Sequence, residues 1–386
     1  MGGSVAHMAS RELEPRATVR LRSSIRAVGS PSARRLVLCA AAAVTALATA
    51  AVSQAKPIPG LKSPSLSEIS RASRPIVDST IAAPSTLGYV PPGYWGGEYT
   101  ISTGEKVSVF ASDSFAMDPA LEQRWADFLG ALAHGPEISN VTVLLSTPGQ
   151  ITRFCGLDAV ACYSPQGSLL YTPGDDPAAE LSAEAVITHE YGHHIAANRS
   201  DAPWSALAWG PKRWSSTIQV CARTRKKELY PGAEDPAHYA ENPGEGWAET
   251  YRVLNERKAG TAETPWDIVS QSLYPADAAL AAAEQDVTSP WSQAAPTTKA
   301  VSFTRTTRVR TVTVPTPLDG TLRVNLRPTR GLRLAVDLYA ASTRVAHAVT
   351  SSAVTRSTTI CGARSYRIRV QALKGQGSVR LSLSKP

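Results

Sequence analysis

His189, Glu190 and His193, in the run HEYGHH (189–194), are residue types that bind a metal and move a proton. On a helix, their spacing puts both imidazoles on one face, about 6 Å apart along the axis. There they can hold Zn²⁺, with Glu190 serving as general base toward a water that the ion activates. Gly192 is expected to leave room on the face beside the metal, and His194, pointing off that face, to pack or to support a ligand. A third ligand must come from another element. In NPGEGWAETYRVL (242–254), Glu245 and Glu249 are again four apart. One can complete a His₂Glu set, leaving the fourth position for water, while the other accepts a hydrogen bond from a ligating imidazole and sets its tautomer. Spacing alone leaves open which does which.

Rigid elements have to carry these groups. Helical spacing of apolar residues predicts helices from Asp118 to about Gly135, over 181–198 around the histidines, over 246–254 and, weakly, over 276–284. Residues 141–145 read as a strand, and 161–163 with 169–171 as a hairpin around PQGS. The polar stretch 210–242 shows no clear period, and SALAWGPKRW within the long gap between the two motifs either lines the cleft or packs over it. Beyond the Pro/Ser-rich 289–299, five short strands (308–314, 322–326, 332–339, 366–372 and 379–383) suggest a sandwich.

HEYGHH with the downstream GEGWAETYR resembles the zincin metallopeptidases of gluzincin type, in particular the anthrax lethal factor-like peptidases and secreted actinobacterial zincins. The resemblance covers about residues 115–255. It implies His189, His193 and Glu245 as zinc ligands, Glu190 as base and Glu249 as support behind a ligand. It also implies an oxyanion donor, for which Tyr239 is preferred over His238, and a strand ahead of the active helix, 169–171 or 141–145, that holds an extended peptide antiparallel at a sheet edge. No H-x-x-G-x-x-H follows the helix, so the metzincin type matches poorly. The pattern P-x-D-G-x-L-x-V-x-L with SYRIRVQALKGQGSVRLSL resembles bacterial pre-peptidase C-terminal domains, which implies a β-sandwich that binds a surface or substrate, or that serves inhibition and maturation.

The 386 residues, 43% hydrophobic and 19% charged, exclude a small disulfide-stapled scaffold, collagen, a coiled coil and a wholly disordered chain. The net charge of +8 is unevenly spread: residues 100–295 hold 13 basic and 25 acidic residues, 296–386 hold 16 and 2. The acidic middle argues against nucleic acid as a partner. The basic end suits an anionic cell-wall or surface polymer, or else is a solvated face.

The uncharged run 36–52 behind Arg34 and Arg35 reads as the apolar core of an export signal with small residues at Ala48, Ala50 and Ala55; a retained membrane anchor is the alternative. The long basic stretch before it points to a start at Met8 or to a twin-arginine-like signal. Export favours disulfides: Cys155 with Cys162 across a short loop, which leaves Cys221 for Cys361, although four cysteines allow three pairings.

The expectation is an α+β chain: a signal peptide (1–55), a linker or pro-region (56–99), a zincin-like domain (100–288), a linker (289–299) and an all-β sandwich (300–386). Its expected activity is that of a secreted, extracellular bacterial zinc metalloendopeptidase acting on protein or peptide. The rivals are a non-catalytic secreted binding protein with a degenerate zincin core and a zinc amidase acting on cell-wall peptides.

Overall fold

The computed structural model describes residues 90–386 except 158, 179 and 180. The expected signal peptide, its membrane-anchored alternative and most of the 56–99 segment lie outside the described residues. The chain runs β1 (Tyr94–Thr100), β2 (Lys106–Ser112), α1 (Pro119–Ala131), β3 (Thr142–Ser146), α2 (Pro148–Cys155), β4 (Cys162–Ser164), β5 (Leu169–Pro173) and α3 (Ala183–Ala197). Short helices α4 (Ala206–Trp209), α5 (Lys212–Thr217) and α6 (Val220–Arg225) precede α7 (Pro243–Ala259) and α8 (Asp277–Thr288). Eight strands follow: β6 (Thr297–Phe303), β7 (Val309–Pro315), β8 (Gly320–Pro328), β9 (Arg333–Ala340), β10 (Thr343–Thr350), β11 (Val354–Ile360), β12 (Ser365–Lys374) and β13 (Gly377–Ser384). The architecture is α+β, as expected, with the HEYGHH helix in the first region and an all-β sandwich in the second.

The first sheet has the order β1-β2-β3-β5-β4, with β2, β3 and β5 parallel and the two outer strands antiparallel to their neighbours. Its middle strands read as continuous apolar runs because both faces are covered. Val109, Ala111, Val143, Leu145 and Leu170 join the main core with α1 and α3, while Phe110, Leu144, Leu169 and Tyr171 form a second cluster, where Phe154 of α2 stacks on Tyr171. Both strands expected to offer a peptide-binding edge, 141–145 and 169–171, are interior, so that expectation fails: the edges are β1 and β4.

Residues 94–99, expected in the linker, form β1 instead. Gly96-Gly97 reads as a turn, but Gly96 is needed because β2 lies so close that a Cβ would stand 2.3 Å from the Val109 carbonyl oxygen.

Local chemistry sets the helix starts. Asp118, Ser182 and Asn242 accept backbone N–H bonds at the N-termini of α1, α3 and α7, and Gly260 closes α7 in the left-handed region. Helix α3 is buried on nearly every side, beneath the sheet and against α7. Gly192 lies at the α3–α7 crossing rather than beside a metal: a Cβ there would come 2.9 Å from Ala248 Cα, and Trp247 Nε1 donates to the Gly192 carbonyl at 2.7 Å. The expected room beside the ion is thus room for a neighbouring backbone. SALAWGPKRW packs, with Trp204 stacked on Trp209 and Trp214 buried against Trp247.

The sandwich pairs the sheets β10-β9-β12-β7 and β11-β8-β13-β6 over their own apolar core. The three strands missing from the sequence reading, β6, β10 and β11, are all edge strands, half-exposed and rich in Thr, Ser and Arg, so they lack the alternation of a buried face. Cys155–Cys162 ties α2 to β4, and Cys221–Cys361 ties α6 to the sandwich, the pairings expected. Around the latter, Lys212 Nζ donates to the Asp319 carbonyl at 3.0 Å and Arg364 Nη2 to that of Ser216 at 2.8 Å.

Glu122 of α1 is fully buried, and no other residue hydrogen-bonds its carboxylate oxygens. Burial, aided by Asp118, pushes its carboxyl up to about 7. The folded chain therefore holds this proton more tightly than the unfolded chain does, and stability falls as pH rises from about 4.5 through 7. Glu122→Gln is expected to remove that component and to raise the melting temperature at pH 8; thermal denaturation across pH 5 to 8 measures it.

Candidate metal centre

Helix α3 sets the His189 and His193 rings on one face with centroids 5.0 Å apart. Glu245, in the first turn of α7, brings Oε2 to 3.3 Å from His189 Nε2 and 3.4 Å from His193 Nε2. A tetrahedral ion with bonds of about 2.1 Å spaces its donors about 3.4 Å apart. The two imidazole nitrogens and the carboxylate oxygen therefore fit zinc in both chemistry and spacing, and all three lie within 4.8 Å of one another.

The two glutamates take different places around the cluster. Glu249 Oε1 accepts from His189 Nδ1 at 2.8 Å, which holds the ring with Nε2 facing the cluster. Glu249 is itself gripped by Arg252, Nε to Oε1 at 3.0 Å and Nη2 to Oε2 at 2.6 Å, and Arg252 also pairs with Glu256 at 2.7 Å. Burial would raise the Glu249 carboxyl, but its bonds from Arg252 and His189 hold it down to about 2. Arg252 went unnoticed in the sequence: an arginine three residues after a glutamate on a helix reads as a solvated surface pair.

The field of the pocket favours a cation. Burial opposes charge on His189, yet its bonds to Glu245 and Glu249 outweigh that and raise it to about 10; Glu245, despite burial, is held well below its usual range by His193 and His189.

Glu190, 8% exposed, lies on the same helix, its carboxyl raised by burial against the pull of His189 and His193. Tyr239 donates its hydroxyl to Glu245 Oε2 at 2.9 Å, and burial with Glu245 nearby keeps the phenol protonated far above neutrality. His238 turns away, bonded to Asp235 at 3.0 Å and packed on Tyr230, so the structure brings Tyr239 and not His238 to the cluster. His194 is fully buried, bonded to the Glu137 carbonyl at 2.9 Å and to the Tyr163 hydroxyl at 3.2 Å; it ties α3 to the edge strand β4. A further acid, Glu234, exposed in an irregular loop near the cluster, went unnoticed.

A buried His/His/Glu cluster of this geometry, in an α+β fold, defines the class: a chain with the makings of a metal-dependent catalytic centre. No family model matches the sequence, and no curated protein matches it. Among solved structures, the chain is similar to the pre-peptidase C-terminal domain of a collagenase from Bacillus anthracis at 15% identity, over 23% of this chain and 88% of that one, with a TM-score of 0.21. It is also similar to the Yersinia pseudotuberculosis-derived mitogen at 9% identity, over 24% and 86% of the two chains, with a TM-score of 0.20. Similarity at this level assigns the chain to neither group.

Proposed function

We propose that the protein is a secreted zinc metalloendopeptidase. The observation that carries this reading is Glu245 Oε2 within 3.4 Å of both imidazole Nε2 atoms, with Glu190 on the helix that carries the two histidines. His189, His193 and Glu245 would hold the zinc, which, when bound, supplies Lewis acidity to a scissile carbonyl and to the attacking water. Glu190 takes the proton as the water oxygen attacks the carbonyl carbon, then delivers it to the amide nitrogen as the C–N bond breaks. Its carboxyl, raised by burial, suits a group that both accepts and donates a proton. Tyr239, protonated and 2.9 Å from the Glu245 carboxylate to which it donates, would turn its hydroxyl from Glu245 to the developing oxyanion. Glu249, clamped by Arg252, keeps the His189 ring in one orientation and tautomer.

The edge strand β4, rather than the interior β3 or β5, offers free backbone groups for an extended peptide. Two disulfides and the basic-then-apolar run ending at residue 52 support export.

The test is metal content by mass spectrometry together with cleavage of a quenched-fluorescence peptide library. About one zinc per chain is expected, with hydrolysis lost to a zinc chelator and restored by zinc. Stoichiometric zinc without cleavage favours the non-catalytic binding protein. Release of wall fragments in preference to peptides favours the amidase.

A further inference from the structure

The two outer faces of the sandwich treat their arginines differently. On the sheet β10-β9-β12-β7, three outward arginines are engaged, Arg344 and Arg369 approaching Asp337 at 3.5 and 3.4 Å and Arg367 lying over the Tyr339 ring at 5.0 Å, while Arg333, exposed at the start of β9 opposite Lys374, has no such partner among the described residues. On the sheet β11-β8-β13-β6, Arg323, Arg327 and Arg380 are exposed and have no ion pair or hydrogen bond to any described residue. The last two stand directly opposite each other across β8 and β13. Like charges in that position weaken a sheet; the only aspartates or glutamates after residue 296 are Asp319, engaged with Arg364, and Asp337 on the other sheet.

From this we infer that the outer face of the β11-β8-β13-β6 sheet binds a linear polyanion with phosphate in its repeat. Facing side chains in such a pair are about 5 Å apart at Cβ, close enough for both guanidinium forks to reach one anion set between them. A carboxylate is saturated by one fork, whereas a tetrahedral oxyanion accepts from both. Arg323, four residues along the same strand, lies about 13 Å away and meets a second anion of the same polymer. The rest of the face is small and uncharged: Asn325, Thr355, Ser357, Ser382, Thr298 and Ala300 occupy the facing positions of the register. It has no aromatic ring on which a base or sugar could stack. It also has no large apolar side chain to enter a bilayer; the exposed Val309, Val345, Val349 and Leu373 all belong to strands of the other sheet.

The experiment measures binding of inorganic polyphosphate to the full chain at about 50 and 200 mM salt. Arg323→Ala/Arg327→Ala/Arg380→Ala is expected to weaken binding at least about tenfold and to flatten the salt dependence by about two units of log–log slope. Arg344→Ala/Arg367→Ala/Arg369→Ala on the opposite sheet should stay within about twofold of wild type. Removing the facing charges should not lower the melting temperature, and the milder Arg327→Gln/Arg380→Gln should repeat the loss of binding in a folded protein. Absence of wild-type binding, equal loss in both triple variants, or binding of polyglutamate or anionic phospholipid vesicles as tight as that of polyphosphate would overturn the assignment.

Discussion

Glu190→Gln is expected to keep its zinc and to lose about 10²- to 10⁴-fold in turnover. The amide has the size of the carboxylate but cannot take a proton from water, and it touches none of the three donor atoms, whose spacing is set by His189, His193 and Glu245. Glu190 is buried on the rigid helix α3, so the substitution changes the chemistry at one point rather than the shape of the site. Metal content and kcat should be read on the same preparation. Near-normal kcat would remove Glu190 from the role of base, and loss of zinc would mean that the glutamate helps to hold the ion.

His189→Ala with His193→Ala is expected to take zinc from about one per chain to none, and hydrolysis to background. Only Glu245 remains of the donor set, and a single carboxylate does not retain zinc against solvent. The double change also strips Glu245 and Glu249 of the imidazoles they contact, leaving two buried carboxylates with fewer partners, so a lower melting temperature is expected alongside. His193→Gln alone disturbs that network less, because Glu249 pairs with His189 and Arg252. It should bind zinc weakly while keeping its circular dichroism spectrum. Stoichiometric zinc in a folded double variant would place the ion elsewhere.

Much of this centre was legible in the one-dimensional pattern. HEYGHH brings two imidazoles to one face of any helix it forms. The Glu245/Glu249 pair announced a second helix that contributes carboxylates, but four-residue spacing gives both the same face and cannot rank them. The crossing of α3 and α7 does so, placing the first-turn Glu245 against the Nε2 atoms and Glu249 behind the His189 ring. Gly192 shows the same limit: the residue was flagged, but its purpose, backbone contact with Ala248, depends on a neighbour 56 residues away.

Taken alone, the sequence determined what local physics controls: the helices with a strong apolar period, the sandwich strands with a buried face, the disulfide across a short loop, and the residue types of a candidate metal site. Tertiary structure decided what depends on which segments meet. It put β3 and β5 inside the sheet and left β4 at its edge, turned Tyr239 inward and His238 outward, and buried Arg252 behind Glu249. It also gave Arg344, Arg367 and Arg369 partners on one face of the sandwich and left Arg323, Arg327 and Arg380 without them on the other. Side-chain type and spacing are properties of one segment, whereas edge position, burial and ionic partnership belong to pairs of segments, and they come into being only when the chain packs.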